Sequence, residues 1–144
     1  MRIFLADDDA TAALGAKLAA RARPGDVLLL EGPLGAGKST LARAFIRALA
    51  GDPRLTVPSP TFTLVQAYET PRGEVWHYDL WRLDGPEGLA ELGWDETGDK
   101  ITLVEWPDRL GDMAPAEALR VRLSHAKAGR EIELRGEGRW LDEL

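Results

Sequence analysis

The chain has no cysteine, which excludes a disulfide framework, a thiolate zinc site and a cysteine nucleophile. It has no apolar run near the roughly 18 residues that would mark a membrane span. Nor is it basic: 18 Lys and Arg stand against 24 Asp and Glu, a formal net charge of −6. A domain whose affinity came from neutralising nucleic-acid phosphates would be basic, so tight direct nucleic-acid binding is not expected. The first residues, Met1-Arg2-Ile3-Phe4-Leu5-Ala6-Asp7-Asp8-Asp9, hold too short an apolar stretch for a signal peptide and soon turn acidic. A cytoplasmic location without membrane association is the expectation. Internal repeats, low-complexity blocks and dividing linkers are also missing, so residues 1–144 read as a single domain with one core.

What is present is Gly32-Pro-Leu-Gly-Ala-Gly-Lys-Ser39, which fits the phosphate-binding pattern G-x-x-x-x-G-K-[ST]. Glycines let the backbone wrap a polyphosphate and aim consecutive N–H groups at its oxygens. Lys38 is placed to reach the β- and γ-phosphates and the Ser39 hydroxyl to ligate Mg²⁺. Such a short pattern needs its context, and the context is here. Asp26–Glu31 is an apolar run of buried-strand length, and Ser39–Leu49 has helical period. The chain is expected to bind a nucleoside phosphate.

Around that unit, Ile3–Leu5 reads as a short edge strand, and Ala10–Arg21 as a helix capped by Asp8 or Asp9. Val57–Thr61, with two prolines, reads as a loop. Phe62–Glu69 and Glu74–Leu80 read as a hairpin turning at Thr70–Gly73, and Pro86–Leu92 as a short helix. Ile101–Val104 is a second buried-type strand. The tail alternates Leu119, Val121, Leu123 and then Ile132, Leu134, which predicts a half-exposed terminal hairpin. The fold class is α/β: a P-loop NTPase-like three-layer sandwich with a mixed, mainly parallel sheet and antiparallel hairpin additions.

A nucleotide loop needs a carboxylate at the end of a neighbouring buried strand. Glu105 ends the Ile101–Val104 run and can hold a Mg²⁺-bound water or orient the attacking one. Asp79 follows the aromatic strand Val75–Tyr78, where aspartate is disfavoured. By residues alone it is either a group beside the metal's ligands or an ordinary strand-end residue. Thr61 reads first as a turn-former after Pro60 and second as a reporter of a γ-phosphate. His77 reads as a packing or hydrogen-bonding residue between Trp76 and Tyr78, and His125 as a solvent-facing turn residue. Asp95-Glu-Thr-Gly98 spells a D-x-x-G, but no Asn-Lys-x-Asp accompanies it, so guanine specificity is unsupported. No arginine-bearing lid insertion is visible, which weakens a stand-alone small-molecule kinase.

Four segments together resemble one family. They are Leu34–Thr40, Ser59-Pro-Thr-Phe-Thr-Leu64, His77-Tyr-Asp-Leu-Trp-Arg-Leu83 and Leu103-Val-Glu-Trp-Pro107, in that order. The chain resembles the TsaE (YjeE) family, small bacterial ATPases required for threonylcarbamoyladenosine formation in tRNA. The resemblance implies that backbone amides of Gly35, Ala36, Gly37, Lys38, Ser39 and Thr40 hold the phosphates of ATP or ADP. It implies that Ser39 and Glu105 are associated with Mg²⁺, and that Asp79 is an essential aspartate. Thr61 corresponds to a switch-like threonine and Trp106 to the tryptophan beside the acid. Thr11 and Arg130 match more weakly, on the adenine side. Weak ATPase activity, partners TsaB and TsaD, and tRNA reached indirectly through their complex are further implications. Pro33 stands where the family often has aspartate, and Ser39 where threonine is commoner; neither change removes a phosphate contact. The rivals are the small-molecule kinase and a nucleotide-sensing interaction module that needs no hydrolysis.

Overall fold

The apolar runs and turn signals resolve into ten regular elements in the computed structural model, which describes residues 1–144. In chain order they are β1 (Arg2–Leu5), α1 (Asp8–Arg21), β2 (Val27–Glu31), α2 (Lys38–Ala50), β3 (Val65–Thr70), β4 (Gly73–Asp79), β5 (Ile101–Glu105), β6 (Leu119–Ala126), β7 (Gly129–Arg135) and the one-turn α3 (Gly138–Leu141). The strands form one sheet in the order β1-β7-β6-β2-β5-β4-β3. Its four central strands, β6, β2, β5 and β4, are parallel, and an antiparallel neighbour or hairpin is added on each side. All five residues of β5 and the three leucines of β2 are buried, as parallel strands covered on both faces require.

Period two divides these strands between two apolar layers. Leu28, Leu30 and Leu103 pack beneath α1 and α2 with Leu18, Leu41, Phe45 and Ile46. Leu29 and Val104 face the other way, against Tyr78, Leu89, Trp94 and Leu110. That second layer is closed by 3₁₀ segments, Pro86–Gly88, Ala90–Leu92, Trp94–Asp99 and Pro107–Met113. The result is the expected three-layer sandwich. No helix is long and apolar enough to cross a membrane.

Three local expectations differ from the structure. Asp7, not Asp8 or Asp9, caps α1, its carboxylate accepting from the Ala10 N–H at 2.8 Å. Asp8 is thereby freed to pair with Arg130 at 2.6 Å. The strand expected from Phe62 starts only at Val65, because Leu64 adopts a left-handed φ of 69° and closes a turn back to the Pro60 carbonyl. Pro86–Leu92 forms two 3₁₀ turns rather than a helix, and the D-x-x-G lies in the next one. The tail hairpin alternates as expected, and β6 also pairs parallel with β2, Leu28 to Glu31 opposite Leu119 to Arg122. The edge strand is β1, as expected, paired with β7.

The chain crosses to opposite sides of β2 when it forms β5 and then β6, so the order reverses there and a crevice opens beyond the carboxyl end of β2. Beneath that crevice α1 and α2 touch closely at Gly15. A Cβ at that position would lie 2.9 Å from the Leu41 carbonyl and 3.1 Å from the Ala44 Cβ. Alanine ordinarily gains about 0.5–1 kcal/mol over glycine within a helix. Here overpacking outweighs that gain, and Gly15→Ala is expected to lower stability by about 1–3 kcal/mol. Urea unfolding checks the sign; a stabilised variant would show that the helices part freely.

Candidate functional site

At the carboxyl end of β2 the chain turns through Gly32–Gly37 and enters α2 at Lys38. Gly35 and Gly37 have φ of 77° and 104°, while Ala36 between them does not share that hand. Alternating hands turn successive N–H groups inward, the concave arrangement that receives anions. Ala36 is wholly buried, so its methyl anchors the loop in the core. Gly37 caps α2 without a side-chain bond, and no acidic residue occupies the first turn. The helix's leading N–H groups are thus left for a ligand. Gly37 also admits the Arg130 guanidinium, which would meet a Cβ at 2.8–2.9 Å.

Lys38 is only 6% exposed. Its ammonium donates to the Gly32 carbonyl and lies 3.4 Å from the centre of the Trp106 ring. Burial pulls its pKa below the ordinary lysine value, against the opposing pull of Glu105, Asp79 and Asp108. Trp106 holds this position with a left-handed backbone, φ 59° and ψ 54°, and packs against Trp81 with ring centres 4.4 Å apart and planes inclined at 48°. A bulky residue in that region stores strain, a feature that clusters at functional sites.

Parallel pairing supplies the acids. Glu105 of β5 stands opposite Asp79 of β4 and opposite Leu30 of β2, and both carboxylates are buried. Asp79 has both oxygens engaged: Oδ1 accepts from the Trp81 N–H at 3.0 Å and Oδ2 from the Thr61 hydroxyl at 3.0 Å. Thr61 spends its one proton there, so Ser59 Oγ, 2.8 Å away, donates to it. The left-handed turn at Leu64 makes this contact possible, and the Leu64 carbonyl accepts the Asp79 N–H at 2.9 Å. Asp79 therefore ties the Thr61 loop to the sheet. Glu105 is held differently, by His77 Nε2 at 2.7 Å from Oε2.

These groups share a cavity of about 340 Å³. Gly35, Gly37, Lys38, Ser39 and Thr40 line it from the loop and helix, and Thr61, Asp79, Glu105, Trp106 and Arg130 from the remaining walls. Among the sequence candidates, Ala36 and Thr11 are not in the wall. Ala36 lies beneath it, and buried Thr11 reaches it through its hydroxyl, which accepts from Arg130 at 3.0 Å. Sequence reasoning missed Ser59, Asp8 and the bond from His77 to Glu105. The strand alternation held the signal for His77, since it falls on the same side of β4 as Asp79. A larger cavity, about 460 Å³, opens on the other side of Trp106, but it has neither the helix start nor the paired carboxylates.

The oxygen donors suit a hard cation. Ser39 and Glu105 line the cavity together, while no cluster of three or more His, Cys, Asp or Glu exists to cage a metal. Mg²⁺ fits such a sparse set, because it keeps waters and takes further oxygens from phosphates.

Residues 5–132 match the family described as "Threonylcarbamoyl adenosine biosynthesis protein TsaE". The tRNA threonylcarbamoyladenosine biosynthesis protein TsaE of Bacillus subtilis is 39% identical over 118 residues, 81% of this chain and 72% of that protein. Its counterpart from Nostoc is 38% identical over 141 residues, 92% of this chain and 84% of that one. The crystal structure of Bacillus subtilis YdiB superposes with a TM-score of 0.74 at 30% identity, over 98% of this chain and 88% of that one.

The buried ammonium has a cost to the fold that can be measured. Lys38→Met keeps the volume, removes the desolvated charge and leaves a thioether beside Trp106. The variant is expected to melt above the wild type. Because the folded state holds the Lys38 proton less tightly than the unfolded state, wild-type stability rises relative to the variant as pH climbs toward 10.5. Thermal melts of both proteins across alkaline pH check this. A variant that melts lower would show that the Gly32 and Trp106 contacts outweigh desolvation.

Proposed function

The chain belongs to the TsaE family of threonylcarbamoyl adenosine biosynthesis proteins, and from that premise we propose that it is a Mg²⁺-dependent ATP-binding protein with weak ATPase activity. In this reading residues 1–144 are one P-loop ATPase domain. It is an accessory to formation of N⁶-threonylcarbamoyladenosine at position 37 of tRNA, working with TsaB and TsaD. The observation that carries the ATPase reading is the meeting of the glycine loop, Lys38, Glu105 and the Asp79–Thr61 pair in one cavity.

The roles follow from the contacts. Amides of residues 35–40 bind the β- and γ-phosphates, and the Lys38 ammonium leaves the Trp106 face for them. Ser39 and Glu105 hold Mg²⁺, which when bound neutralises charge on the phosphate oxygens. Thr61, tethered by Asp79, is held at the wall where a terminal phosphate would be sensed. Arg130 borders the loop at Gly37 on the side of Thr11 and α1. Low intrinsic turnover agrees with the state of the cavity's second cation: Arg130 has its Nη1 engaged by Asp8 and Thr11.

The acidic net charge supports a protein that meets tRNA through partners rather than directly. A role in tRNA modification goes with a cytoplasmic location.

Reconstitution with TsaB, TsaD, ATP and tRNA, with this chain omitted as control, is the test. Modification should require the chain, and Lys38→Ala or Glu105→Ala should cut ATP turnover by about 100-fold or more. Modification at wild-type rates by both Glu105→Ala and Asp79→Ala would instead favour the hydrolysis-free interaction module. Rapid phosphorylation of a metabolite by the isolated chain would make it a kinase.

A further inference from the structure

The period of β4 sends Val75, His77 and Asp79 to one face of the sheet and Trp76 and Tyr78 to the other. Val75 accordingly joins the layer under α1 and α2, and Tyr78 the opposite layer. His77 stands opposite Leu103 on β5, one pleat before the Asp79–Glu105 pair. Its ring therefore reaches Glu105 diagonally, from the side away from the cavity mouth. Both side chains are more than nine-tenths buried, and Nε2 lies 2.7 Å from Oε2.

The other ring nitrogen decides what this bond is. Nδ1 is sealed from solvent and has no partner. A proton on Nδ1 would be an unsatisfied buried donor, and the Nε2 lone pair would then face a carboxylate oxygen. The ring therefore carries its hydrogen on Nε2 and donates it to Glu105. Nothing in the phosphate loop uses His77, and it does not line the cavity. Glu105 does line it, and its second oxygen makes no hydrogen bond within the chain.

We infer that His77 is a positioning residue for the metal site: it fixes one oxygen of Glu105 so that the other is presented, with Ser39, to Mg²⁺. The inference rests on the proposed role of Glu105 as a Mg²⁺-associated carboxylate. A freely rotating glutamate opposite Asp79 would be driven off by like charge and would lose orientation entropy on each binding event. The imidazole removes that freedom before the metal arrives. Partners that orient metal-ligating carboxylates in this way typically change metal affinity by 10- to 100-fold when lost.

The test reads metal binding rather than turnover. ADP affinity of the isolated full chain is measured by calorimetry in EDTA and then across a Mg²⁺ titration. His77→Phe fills the ring's place without a donor, and His77→Gln restores a donor near the same reach. The Phe variant should bind ADP normally in EDTA but need about 10–100 times more Mg²⁺ for half of the metal-dependent gain. The Gln variant should recover most of that loss. Three results would overturn the inference: wild-type Mg²⁺ dependence in the Phe variant, equal loss in the Phe and Gln variants, or loss of ADP binding in EDTA by either. If the Phe variant does not fold, His77→Asn, whose amide stops short of Glu105, takes its place under the same criteria. Glu105→Gln is the control on the premise, since unchanged Mg²⁺ dependence there would overturn the role of Glu105 itself.

Discussion

Parallel pairing of β2, β5 and β4 sets Leu30 opposite Glu105 and Glu105 opposite Asp79, and the whole site hangs on that register. It ends two carboxylates side by side where β2 gives way to the glycine loop. A one-residue slip of β4 would turn Asp79 and His77 to the other face and Tyr78 toward α2. The slip is forbidden by what lies on each face. It would place an imidazole and a carboxylate against Leu29, Val104 and Trp94, with no partner for either. The apolar layers therefore do more than stabilise the sheet; they select the one register in which the acids reach the cavity.

Against that firm frame, the cavity wall collects the molecule's unfavourable local choices. Trp106 and Leu64 hold left-handed backbones, each costing about 1–3 kcal/mol. The Lys38 charge is desolvated, and two carboxylates face each other across neighbouring strands. Each has a specific restraint: Trp81 packed against Trp106, the Asp79 N–H on the Leu64 carbonyl, the Trp106 face over Lys38, and His77 on Glu105. An arriving polyphosphate would relieve the lysine, whose ammonium otherwise has a single carbonyl and a ring for company. A site so arranged is held ready at the expense of local stability.

Much of this was legible before the structure, and the boundary has a physical basis. The glycine loop, Lys38 and Ser39 declare themselves because their geometry is local: glycine spacing, a preceding buried strand and a following helix suffice. Glu105 was legible from its place at the end of an apolar run. Asp79 and Thr61 were not decidable from residues, since their meaning is a bond across 18 positions that forms only after Leu64 turns. The same turn explains why the strand expected from Phe62 begins at Val65: a leucine in left-handed conformation leaves no composition signal. The tail hairpin showed its alternation but not its place beside β2, because strand order is a tertiary choice. His77 read as a packing or hydrogen-bonding residue, and it does hydrogen-bond, but its partner Glu105 lies 28 residues away and could not be named.

The two halves of the cavity thus arise on different terms. The glycine-loop half is encoded in eight consecutive residues and the helix they open, with Trp106 and Arg130 touching it from outside. The acid-facing half exists only when β4 and β5 have paired with β2 in register and the Thr61 loop has folded back onto Asp79. Under the proposed function, holding a phosphate and acting upon it would therefore be separable properties of the same pocket. Anything that loosened β4 or the Pro60–Leu64 turn would leave the glycine loop in place while withdrawing Asp79, Thr61 and the His77 bond to Glu105 together. If the chain turns over ATP as proposed, that coupling would put the control of turnover on the β4 side of the sheet, remote in sequence from the glycine loop.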